Sequence, residues 1–115
     1  MTRGDVYWAE LRPRSGAEQS GRRPVVVVSS DGFNRVPGWR SVIVVPLFTS
    51  ESQVRRGPSA VIVEAAQCGL DRDGVALCHQ VTTLDRAKLT RRLGALPAEV
   101  LRELDDGLHA ALDLR

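Results

Sequence analysis

Residues 24–28 read Pro-Val-Val-Val-Val, and this run limits the fold more sharply than any other feature. Four consecutive β-branched residues have stiff χ1 angles that suit a pleated strand. The run has no polar alternation, so the strand must be covered on both faces. A second strand-sized run, Val-Ile-Val-Val-Pro-Leu, occupies residues 42–47. Neither approaches the roughly 20 apolar residues a membrane helix needs.

The chain has 115 residues, of which 43% are hydrophobic and 26% charged. These values predict one globular domain over residues 1–115 and exclude a disordered chain. At this size about two-thirds of the extended-chain surface can be buried, enough for a core without disulfides or metal. The N-terminus, Met1-Thr2-Arg3-Gly4-Asp5, lacks a charged-then-apolar export pattern, so a cytoplasmic location is expected. Cys68, Cys78, His79 and His109 lack zinc-finger spacing, so the cysteines are expected as reduced, partly buried thiols and no metal or cofactor is assigned.

Strands are predicted over residues 5–11, 24–29, 41–47, 60–64, 75–84 and 93–96. Between them, residues 12–21, 30–40 and 51–59 are rich in Gly, Ser, Pro and charge, and read as loops. Asp71-Arg72-Asp73-Gly74 reads as a turn. After Pro97, residues Val100, Leu101, Leu104, Leu108, Ala111 and Leu112 recur at helical spacing; Pro97 suits the first turn and Gly107 weakens the helix by about 1 kcal/mol. The expected fold is mainly β: a small antiparallel sheet or barrel closed by a C-terminal helix.

Charge is distributed unevenly. Residues 1–60 carry nine Arg against five acids, whereas residues 96–115 carry two Arg against five acids. Lys88 is the one lysine among sixteen basic residues. Arginine suits phosphate because its planar fork can donate two parallel hydrogen bonds. Arg12, Arg14, Arg22, Arg23, Arg35 and Arg40 all lie in or beside the loops of the first forty residues.

Several stretches, taken in order, resemble the MazF/PemK (Kid) family of toxin endoribonucleases. They are Arg3-Gly4-Asp5-Val6-Tyr7-Trp8-Ala9-Glu10-Leu11; residues 16–29, containing Glu18-Gln19 and Arg22-Arg23-Pro24; Val44-Val45-Pro46; residues 73–85, containing His79-Gln80; and Arg92-Leu93-Gly94. The resemblance spans about residues 3–114. It implies an SH3-like barrel with a C-terminal helix, a homodimer, and metal-independent cleavage of single-stranded RNA. It also implies inhibition by a cognate antitoxin.

The resemblance makes Arg23, directly before Pro24, the catalytic arginine. Such a group would clamp the phosphate and stabilise charge that develops during cleavage; its guanidinium is expected to face solvent from the loop. The usual family pattern of Pro, one apolar residue, then Thr is altered here to Pro46-Leu47-Phe48-Thr49-Ser50. Thr49 is therefore the second catalytic candidate if a bulge restores its direction, and Ser50 the alternative. Glu18 and Gln19 are implied RNA contacts, with Glu18 able to accept a proton or orient Arg23. Arg22 adds charge for the RNA backbone. Gln80 reads either as a base-edge contact or as a satisfied strand amide. Cys78 and His79, adjacent on a predicted strand, face opposite sides and cannot form a nucleophile–base pair. Trp8 is expected in the core, and Trp39 as a base stacker or a dimer contact. Two other readings stand beside the nuclease: a CcdB-type, gyrase-binding toxin, and a non-catalytic nucleic-acid-binding barrel.

Overall fold

The structure, a computed structural model, describes residues 1–11, 21–48 and 57–114. Strands β1 (Asp5–Leu11), β2 (Gly21–Val27) and β3 (Ser41–Phe48) form its centre. A one-turn helix, α1 (Asp31–Asn34), lies between β2 and β3. Next come β4 (Ala60–Val63), one-turn α2 (Ala65–Cys68), β5 (Gly74–Leu77), a 3-10 turn at Cys78–Gln80, β6 (Thr82–Asp85), β7 (Leu89–Ala95) and α3 (Ala98–Leu112). The sheet runs β4-β5-β3-β2-β1-β7, with β6 also on β3, and every pairing is antiparallel. The described strands do not close into a ring, so the expected barrel is an open, barrel-like sheet. Among the described residues no helix is long and apolar enough to cross a membrane.

The valine run behaves as its pattern demands. Val26 and Val28 join Val6, Val45, Leu47, Val63, Val100 and Leu104 in the core under α3. Val25 and Val27 join Ala9, Leu11, Val42 and Val44 on the opposite face. Strand alternation thus divides one continuous apolar run between two cores.

Three sequence-derived boundaries are corrected, the first being the last strand, expected over 93–96, which begins at Leu89 because Leu89, Arg91 and Arg92 pair with β1. The strand expected from residue 24 begins at Gly21, because Arg22 and Arg23 continue the ladder with β1 as Glu10↔Arg22 and Ala9↔Arg23. The single strand expected over 75–84 is broken at Cys78–Gln80. Its two halves both pair with β3, at Leu47–Phe48 and at Ser41–Val44. The chain turns between them to pass from one stretch of β3 to the other.

Helix α3 packs against the 3-10 turn through Gly107, where an added Cβ would lie 2.7 Å from Cys78 Sγ. Two effects compete in Gly107→Ala. Helix propensity favours alanine by about 1 kcal/mol, whereas overpacking costs about 1–3 kcal/mol. Packing should win, and thermal or urea unfolding should show a less stable protein; a raised melting temperature would mean that Cys78 yields freely.

Candidate active site

Strands β2 and β3 pair from Val27↔Val44 to Val25↔Pro46 and no further. Beyond that point β3 continues as Leu47 and Phe48, paired with β5. Arg23 stands at this fork. Alternation puts it on the face of Val25 and Val27, and puts Phe48 on the face of Val44. The two side chains meet there: the Arg23 guanidinium carbon lies 4.5 Å from the centre of the Phe48 ring. Arg23 Nη1 also donates a long hydrogen bond, 3.4 Å, to the Leu47 carbonyl.

This corrects the expected position of Arg23. It belongs to β2, not the loop, and it is half-buried on an aromatic face rather than facing bulk solvent. Its Nε is buried with no hydrogen-bond partner among the described residues. Burial pulls its pKa below the ordinary arginine value, yet a guanidinium so basic stays charged near neutral pH. The fork therefore holds a partly desolvated cation, suited to binding an oxyanion.

Arg22 points the other way. Its guanidinium lies 5.5 Å from the Trp8 ring centre and 3.7 Å from Glu10. Adjacent arginines on one strand diverge, so Arg22 does not join Arg23 on a single phosphate. Trp8, expected in the core, is half-buried beneath Arg22. Gln80 is half-buried and ends the 3-10 turn; it is not a strand residue. Glu18, Gln19, Thr49 and Ser50 lie outside the described residues. Trp39 is 42% exposed and stacks on Phe33 with ring centres 5.0 Å apart.

The residue that the sequence reading undervalued is Phe48. In the sequence it interrupts the spacing between Pro46 and Thr49. It is 6% exposed, packed with Val75, Leu77 and Ala60, and forms the floor under Arg23. Alternation along residues 42–48 carried a signal, since it placed Phe48 on the face of Val44.

Elsewhere, an open cleft of about 640 Å³ lies between β4 and α3. Glu64, Glu99, Glu103 and Asp106 are among its lining residues, so it repels a polyanion. Cys78 does not face His79 across two sides of a strand. It is fully buried, with its thiol directed to the Leu104 carbonyl, while His79 is exposed on the 3-10 turn.

Fold and site together define a small antiparallel β protein that presents an arginine from a rigid strand fork. The chain belongs to the PemK-like, MazF-like toxins of type II toxin–antitoxin systems, whose family model matches residues 2–112. It is 37% identical over 114 residues to endoribonuclease EndoA of Bacillus subtilis, covering 99% of this chain and 96% of that one. It is 35% identical over 114 residues to endoribonuclease MazF2 of Mycobacterium bovis, covering 99% and 98%. Its fold resembles the MazE–MazF structure from Deinococcus radiodurans, with TM-score 0.75, 28% identity and coverage of 100% and 97%.

Burial pushes the Cys78 thiol up to about 11, and raises Cys68 as well. At pH 8 only about one Cys78 in a thousand would be thiolate. Iodoacetamide at pH 8 should therefore leave both cysteines of the native protein unmodified and label both in denaturant. Rapid native labelling, detected by mass spectrometry, would contradict this burial.

Proposed function

We propose that this toxin is a metal-independent endoribonuclease that cuts single-stranded RNA at selected sequences. The observation that carries the reading is Arg23, a half-buried cation at the β2–β3 fork. It stands directly before Pro24, where the resemblance implies the catalytic arginine. The endoribonuclease names of relatives 35–37% identical over nearly the whole chain support it.

In this reading the ribose 2′-hydroxyl attacks the adjacent phosphorus. The P–O5′ bond breaks, leaving a 2′,3′-cyclic phosphate and a 5′-hydroxyl. One proton leaves the 2′-oxygen and one reaches the departing 5′-oxygen. Arg23 stabilises the extra negative charge on the phosphorane. Thr49, or Ser50 in its place, donates a hydrogen bond to a phosphate oxygen. Glu18 accepts a proton or orients Arg23. Gln19, Arg22 and Gln80 contact RNA to either side. DNA lacks the attacking hydroxyl, so selectivity for RNA comes from the nucleophile itself.

The chain also works with protein partners in this reading. A cognate antitoxin restrains it, in line with the MazE–MazF structure from Deinococcus radiodurans. It acts in the cytoplasm as a homodimer, in line with the family resemblance.

Incubation of the protein with long single-stranded RNA in EDTA should give discrete fragments with 5′-hydroxyl ends. Arg23→Ala should slow cutting by about 10²–10³-fold, the usual loss for one charge-stabilising donor. A strand with 2′-deoxyribose at the cut position should survive. Intact RNA with the wild type would overturn the nuclease reading, and gyrase-dependent DNA damage without RNA loss would favour the CcdB-type alternative. Undiminished cutting by Arg23→Ala would overturn the site.

A further inference from the structure

We infer that Phe48 is a positioning residue for Arg23: its buried ring supports the guanidinium at the β2–β3 fork and sets the direction in which its N–H groups meet a phosphate. The inference rests on the endoribonuclease reading above and extends it to a residue that departs from the family pattern.

Three observations carry it. First, the guanidinium carbon is 4.5 Å from the ring centre, well inside the roughly 6 Å reach of a cation–π contact. Second, the ring is fixed: Phe48 is 6% exposed and wedged among Val75, Leu77 and Ala60, and its backbone is paired with Val75. Third, the guanidinium's hydrogen bond, Nη1 to the Leu47 carbonyl, is 3.4 Å long. A hydrogen bond of that length does little to fix a flexible side chain alone. The ring therefore supplies most of the orientation given by the described residues.

Chemistry limits what Phe48 can do. A phenyl ring cannot hydrogen-bond a phosphate, as the family's threonine at the ungapped position would. It can act on the reaction only through the residue it supports. Its flat, electron-rich face suits a planar cation, and water cannot compete for that face once the ring is buried. An aliphatic side chain would fill the same space without this directional attraction.

The test compares wild type, Phe48→Leu and Phe48→Tyr on a short RNA with one cut site, each in the native and Arg23→Gln backgrounds, the slow variants followed at single turnover. Phe48→Met provides a second non-aromatic filling, and thermal melts check that each variant folds. Phe48→Leu and Phe48→Met should lower kcat about tenfold, a loss within the range for one cation–π contact, with a smaller change in KM. Phe48→Tyr should stay within about threefold of wild type, because the ring remains. In the Arg23→Gln background, where no cation rests on the ring, the leucine substitution should cost less than about twofold, since its effect passes through the charged guanidinium. Wild-type kcat in the folded non-aromatic variants would overturn the inference, as would an equal loss in both backgrounds. If the wild type itself leaves the RNA intact, the endoribonuclease reading fails and this inference falls with it.

Discussion

A guanidinium resting on a buried phenyl ring is held between opposing demands. Its charge favours water, while the strand that carries it withdraws it from water. The Phe48 ring and the Leu47 carbonyl replace part of the lost hydration, and the lowered pKa of Arg23 records the remaining deficit. A phosphate oxygen placed against that cation would relieve it. The arrangement exists because the β2–β3 ladder ends at Val25↔Pro46. The valines that follow Arg23 are locked into two cores, so the fork is a fixed edge rather than a loose loop.

The charge of the whole molecule agrees with this placement. The acidic excess near the C-terminus belongs largely to α3, and Glu99, Glu103 and Asp106 line the cleft beside β4 together with Glu64. A nucleic acid backbone is repelled from that side. Arg23 lies on the opposite side of β2 from the core that α3 covers, since it shares a face with Val25 and Val27 rather than with Val26. Arg22 extends positive charge around the other face, above Trp8.

Much of this was readable in the residues. The strand at 5–11 needed only its composition, and the C-terminal helix only its spacing, because both patterns are local. The start of β2 was not readable, because Arg22 and Arg23 are strand residues through pairing with Glu10 and Ala9 rather than through their own propensity. The break at Cys78 was hidden for a similar reason. Nothing local in residues 75–84 says that β5 and β6 must meet different stretches of β3. At the site, Arg23 is singled out by the family resemblance, which implies the arginine before Pro24, whereas nothing in the sequence points to the ring beneath it. Arg23 and Phe48 are brought together by a sheet register that neither segment specifies alone. Phe48 looked like a misplaced residue in a pattern when read in one dimension.

Arginine side-chain NMR offers the most direct check. Arg23 can be labelled with nitrogen-15 and its Nε–H resonance assigned by loss in Arg23→Lys. The protein is then titrated with an RNA strand carrying 2′-deoxyribose at the cut position, which binds but cannot react. If this cation receives the scissile phosphate, its resonance should shift and its exchange with water should slow in proportion to bound strand. A strand that binds while the Arg23 signal keeps its position and exchange rate would place the phosphate elsewhere and contradict the mechanism.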